Sequence, residues 1–172
     1  MSELQGAVAL AQIGKAERIL KGYRAAKAAI IARLQLPAGV ELQRSPDAKG
    51  DASICLILFL PSVEATKRAL EAMRAEGVPA GGIYDKKVKD WHIYVHWEHI
   101  LDRKAVSRDG LPWTGVKLEE LPAYSKTMCP RSTDYLSRAI MIDVEWEYSK
   151  ADCEAIAAGI NKVLAACCTA AE

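Results

Sequence analysis

Between positions 85 and 128 the chain gathers most of the side chains that could do chemistry: Trp91, His92, Tyr94, His96, Trp97, His99 and Trp113, with little sustained periodicity. A long, irregular, aromatic-rich segment inside a compact domain is more often functional than decorative. His92, His96 and His99 stand four and three residues apart, a spacing that suits metal ligands on one helix face. However, Trp91-His92-Ile93-Tyr94-Val95 reads as extended, which spreads His92 and His96 along the chain, and no carboxylate or cysteine completes a set. The expectation is no metal site, with the histidines as structural or substrate-channel residues. Cys129-Pro130-Arg131-Ser132 has the look of a thiol site but no histidine partner close by in sequence. The cysteines at 55, 129, 153, 167 and 168 include no CxxC pair. They read as free thiols of a cytoplasmic protein, with Cys167-Cys168 as small residues closing a helix.

The elements that must position these residues follow from patterning. Of 172 residues, 51% are hydrophobic and 26% charged, and 23 basic against 22 acidic side chains leave a net charge of +1. That is the composition of an ordinary globular domain, without the charge excess of a nucleic-acid or membrane-surface binder. The N-terminus lacks the basic and apolar regions of a signal peptide, and the apolar run Ile54 to Leu60 is too short to span a bilayer.

One long helix is expected from Ser2 to Leu34, stopped by Pro37-Ala38-Gly39. Its first half is apolar nearly all round, through Leu4, Ala7, Val8, Ala9, Leu10, Ala11 and Ile13, so it expects cover on several sides. The basic residues Lys15, Arg18, Lys21, Arg24 and Lys27 step by three and read as a solvated surface. Short strands are expected at Val40 to Gln43 and at Ile54 to Leu60, the latter without alternation, as in a strand buried on both faces. A helix capped by Ser62 runs to Gly77, and an extended piece ends at Tyr84. After a short helix at Thr133 to Arg138, Ile140 to Trp146 alternates as a strand. Ser149 caps a last helix whose stripe is Ile156, Ile160, Val163, Leu164 and Cys167. The fold class predicted is α+β: a long N-terminal helix, then a small, largely antiparallel sheet with helices on one face.

Three segments, in order, carry a resemblance. Met1-Ser2-Glu3-Leu4-Gln5-Gly6-Ala7-Val8-Ala9-Leu10-Ala11-Gln12 resembles an "RMSELQAAxxxAQL" helix. Ala75 to Tyr84 is similar to "AEGIPxxxxY", and Met128 to Ile140 to "MCPxxxDxLxRAI". Together these are similar to the C-terminal half of the DegT/DnrJ/StrS aminotransferases, in the subgroup that aminates keto-sugars or keto-cyclitols.

The resemblance implies the small C-terminal domain of a fold-type-I transaminase that uses pyridoxal 5'-phosphate (PLP) and takes an amino group from glutamate or glutamine. In that family the cofactor groups, including a lysine in a Ser-x-x-Lys context, sit on the large domain. None is expected in this chain, so no catalytic or cofactor-binding residue is assigned and the chain is expected to be inactive alone. Residues 1–36 are then the helix linking to a large domain that is missing or separately encoded, and 37–172 the small domain. The partners implied are that large domain, a second copy through the N-terminal helix, and a nucleotide-sugar or keto-sugar substrate. Tyr84 matches the family tyrosine near the substrate, where a hydroxyl can hydrogen-bond a sugar oxygen; it also suits plain packing at a sheet edge. His92 falls where relatives carry a sugar-facing histidine. Arg131 and Arg138 offer forks for the donor's carboxylate, or structural ion pairs, and the Cys129-Pro130 turn leads into the last strand. The alternative reading is a free-standing binding module derived from this domain.

Overall fold

The computed structural model describes residues 1–84, 89–115 and 117–168. Residues 85–88 and 116, part of the irregular aromatic-rich segment, lie outside the described residues. Compactness groups Met1–Gly82 with the chain from Arg138 onward as one unit and Ile83–Ser137 as a second. No boundary of compactness falls at residue 36, where the sequence reading divides a linking helix from a small domain.

The first unit opens with α1 (Glu3–Ile31). Its start is fixed by a capping box: the Ser2 hydroxyl accepts from the Gln5 amide at 3.3 Å, and Gln5 Oε1 accepts from the Ser2 amide at 2.8 Å. The helix has two characters. Its second half buries Ala26 and Ile30, with Tyr23 and Ala29 packed beside them. Its first half is uncovered: Leu4, Val8, Leu10 and Ile13 are 74%, 53%, 75% and 71% exposed.

β1 (Glu41–Leu42), β2 (Cys55–Phe59), β3 (Ala80–Gly82) and β4 (Ala139–Asp143) form one antiparallel sheet in the order β1-β2-β4-β3. The register sets Leu58 opposite Ile140 and Leu56 opposite Ile142, with Ala80 across from Ile142 on the other side. Leu56, Leu58, Leu60, Ile140, Ile142 and Val144 are therefore buried in one core with Ile30, Met73, Ile160 and Leu164. Those last four come from α1, from α2 (Val63–Ala75) and from α5 (Lys150–Cys168), and α5 packs against both other helices. The α+β architecture expected from patterning is the one observed.

β2 differs from the expectation. Cys55, Ile57 and Phe59 are only half-buried, so this strand has one core face and one partly open face. An unbroken apolar run hides that difference, because every position is apolar on either side. The stripe of α5 is also centred elsewhere: Cys153, Ala157, Ile160, Val163 and Leu164 are buried, while Ile156 and Cys167 lie at the border. Small side chains, Cys153 and Ala157, sit on the buried face of α5, and Ser149 and Asp152 cap it reciprocally. The basic residues of α1 are not simply solvated. Lys27 pairs with Asp51 at 2.7 Å, Arg24 donates to the Asp51 carbonyl at 2.8 Å, and Arg18 lies 5.3 Å above the Trp146 ring.

The second unit contains a 3-10 turn at Tyr94–His96, the short helix α3 (Glu98–Leu101), a second 3-10 turn at Leu118–Glu120, and α4 (Pro130–Ser137). Pro130 stands at the first position of α4, where a missing N–H costs nothing. No described helix is long and apolar enough to cross a membrane.

Candidate functional site

Asp90 organises the histidine segment. Its Oδ1 accepts from the His92 amide at 3.0 Å and meets His92 Nδ1 at 2.8 Å. Its carbonyl oxygen accepts from the Ile93 amide at 3.2 Å and from His96 Nδ1 at 2.8 Å. Bonds of this local kind fold the chain back on itself. Positions 91–96 are thus turns and a 3-10 helix rather than the extended segment expected, because Asp90 supplies acceptors that a strand ladder would otherwise have to provide.

The three histidines consequently meet three different neighbours. The His92 side chain is 98% exposed, paired with Asp90. His96 is half-buried, in an edge-to-face contact with Tyr84 at 6.2 Å between ring centroids. His99 tilts against Trp91 at 6.3 Å. Among the described residues no group of three histidine, cysteine, aspartate or glutamate side chains could hold a metal ion.

A hydroxyl cluster backs Tyr84. The Tyr94 hydroxyl donates to the Lys126 carbonyl at 2.6 Å, accepts from the Cys129 amide at 3.3 Å, and meets Thr133 Oγ1 at 3.0 Å. Thr133 also lies 3.2 Å from the Cys129 carbonyl. Burial pushes the Tyr84 phenol above its ordinary value, and the nearby Thr133 hydroxyl opposes that shift. At neutral pH it is an uncharged phenol, 38% exposed. The site is therefore an aromatic pair, Tyr84 with His96, near a hydroxyl cluster of Thr133 and Tyr94.

Of the residues singled out from sequence, Tyr84 lies in this cluster. His92 points to Asp90 and solvent, and Arg131 is exposed on the first turn of α4. Arg138, in the first unit, donates from Nη1 to the Leu60 carbonyl at 2.8 Å, a structural tie between strand ends. Sequence reasoning missed His96, Tyr94 and Thr133 as a group. The only available signal was density of side chains able to hydrogen-bond, since their meeting depends on a turn fixed by Asp90.

A separate cleft of about 450 Å³ opens in the first unit, lined among others by Lys27, Arg44, Asp47, Asp51 and Cys55. Its charges largely neutralise one another: the Lys27 ammonium bonded to Asp51 holds that carboxyl below the usual range. Burial pushes the Cys55 thiol up, which keeps it protonated and a poor nucleophile.

These residues do not fit PLP. A Schiff-base lysine needs an amine free to lose its proton in a desolvated site. Lys27, with only 16% of its side chain exposed, is ion-paired. No lysine follows a serine at the Ser-x-x-Lys spacing. The five cysteines are free thiols. The sequence matches no known protein-family model.

Proposed function

We infer that this chain supplies the small C-terminal domain of a PLP-dependent aminotransferase acting on a keto-sugar or keto-cyclitol. It contributes substrate-site closure, while the Schiff-base lysine is provided by a larger domain. The observation that carries this reading is the state of α1. Its second half is built into a core, yet its first half leaves Leu4, Val8, Leu10 and Ile13 more than half exposed. A helix apolar on all sides and uncovered is a surface made for another body. The first of the three family-like segments lies on that uncovered stretch. The small antiparallel sheet with helices on one face suits the same role. The free thiols suit a cytoplasmic setting.

The test is complementation. Mixing this chain with a large domain that carries the Ser-x-x-Lys motif and PLP should yield transamination from glutamate or glutamine to a keto-sugar, with neither part active alone. A complex that forms without activity, on any keto-sugar or cyclitol acceptor, would sink the enzymatic reading and favour a free-standing binding module.

A further inference from the structure

The cleft of the first unit is lined by two carboxylates and two cations that are not in the same state. Asp51 is engaged on every side. Its Oδ2 takes the Lys27 ammonium at 2.7 Å, its Oδ1 the Ser53 amide at 2.8 Å, and its carbonyl oxygen Arg24 Nε at 2.8 Å. Lys27 and Asp51 thus cancel, and together with Arg24 they tie one wall of the cleft to α1. Asp47 and Arg44 differ. Asp47 Oδ1 accepts from the Lys49 amide at 3.0 Å and its carbonyl from the Asp51 amide at 3.1 Å, which closes a turn at 48–50. A Cβ on Gly50 would stand 2.5 Å from Asp47 Oδ2, so the glycine leaves that oxygen its place. Among the described residues Asp47 Oδ2 accepts no hydrogen bond, and the exposed Arg44 has neither a hydrogen-bond nor an ion-pair partner.

Opposite charges that line one cleft without meeting suit neither ion alone. An anion drawn to Arg44 is repelled by Asp47, and a cation drawn to Asp47 is repelled by Arg44. A ligand that carries both charges on one carbon satisfies both, with its carboxylate in the guanidinium fork and its ammonium on the free carboxylate oxygen. The rest of the lining says what else that carbon bears. Ile54 is 57% exposed there, next to Cys55, a half-buried and protonated thiol. We propose that this cleft is a binding site for a free apolar α-amino acid, with Arg44 holding its carboxylate, Asp47 its ammonium and Ile54 its side chain. A volume of about 450 Å³ is that of a small-molecule site. The inference stands apart from the aminotransferase reading, since every group it uses belongs to the first unit and none depends on PLP.

Removing one ligand charge at a time tests this. The 172-residue chain, nitrogen-labelled, is titrated with L-leucine, N-acetyl-L-leucine and L-leucinamide, following Arg44 Nε–H and the Gly50 amide. At about pH 6.5 the amino groups of leucine and leucinamide are both charged. Leucine should shift both resonances to saturation in the millimolar range. N-acetyl-L-leucine, without the cation, and leucinamide, without the anion, should each bind about three- to tenfold more weakly. Arg44→Gln should erase the preference for leucine over leucinamide, and Asp47→Asn the preference for leucine over N-acetyl-L-leucine. Both side chains are exposed, so unchanged amide resonances of β2 and β4 will show that the fold survives. N-acetyl-L-leucine that binds as tightly as leucine would make the cleft an anion site, and leucinamide that does so would make it a cation site. Either result, or a leucine titration with no saturable shift, would overturn the proposal. Transamination after complementation is a separate readout, and its failure leaves this site untouched.

Discussion

At the scale of single residues, the energetic weight lies with side chains whose partners are fixed by backbone carbonyls and carboxylates. His96 gives a direct check: two-dimensional nitrogen spectra should place its neutral form as the Nδ1–H tautomer, held by the Asp90 carbonyl. An Nε2–H tautomer would contradict a bond from His96 Nδ1 to that carbonyl. Asp51 gives a second. Lys27 and the Ser53 amide hold its carboxyl below the ordinary value. A group with a lowered native pKa contributes stability that is complete above its unfolded value of about 3.9 and fades as pH falls through the native one. Asp51→Asn should therefore cost about 1–3 kcal/mol at neutral pH. The urea midpoints of the variant and parent should converge as the solution is acidified below the ordinary aspartate range. A gap that stays constant into strong acid would show that the ion pair adds nothing.

The legibility of the chain differs sharply between such residues and the elements that carry them. Ser2 with Gln5, Ser62 and Ser149 with Asp152 mark helix starts that the structure places within a residue of expectation, because capping is local chemistry. Alternation located β4, and Leu56, Leu58 and Leu60 identify the core face of β2 only once pairing with β4 is known. The histidine segment was misread as extended because a turn held by one aspartate leaves no periodic trace. Glycines on α1 show the same limit. All three interrupt a helix, and sequence treats them alike. In the fold, a Cβ on Gly22 would run into the Trp146 carbonyl oxygen and come within 3.1 Å of Trp146 Cβ, whereas Gly6 and Gly14 have nothing within 4 Å. Gly14→Ala should accordingly stabilise the isolated chain by up to about 1 kcal/mol through helix propensity. Gly22→Ala should lose that gain to overpacking and destabilise by about 1–3 kcal/mol. Equal thermal shifts for the two variants would mean that the approach of α1 to Trp146 is not a close one.

At the scale of the whole molecule, the first half of α1 decides how the chain behaves. With roughly 100° per residue, Leu10 and Ile13 lie across the helix from Leu4 and Val8, so no single seam collects them. A partner helix would cover one side only. A body that receives the helix in a groove covers both, which is the arrangement the proposed large domain requires. Burying a few hundred Å² of apolar surface is worth on the order of 5–10 kcal/mol before the cost of association. Without such a body, the chain should self-associate through this segment or leave it frayed. Changing Leu4, Val8 and Leu10 to glutamine should shift sedimentation toward the monomer while amides of β2 and β4 keep their protection from hydrogen exchange, since the core begins at Ala26. Changing only Leu4 and Val8 separates the two modes: a one-seam pair would be abolished, whereas association that uses every side would be only weakened. A parent chain that is already monodisperse and monomeric, with residues 4–13 protected from exchange, would remove the case for a missing cover and favour the free-standing module.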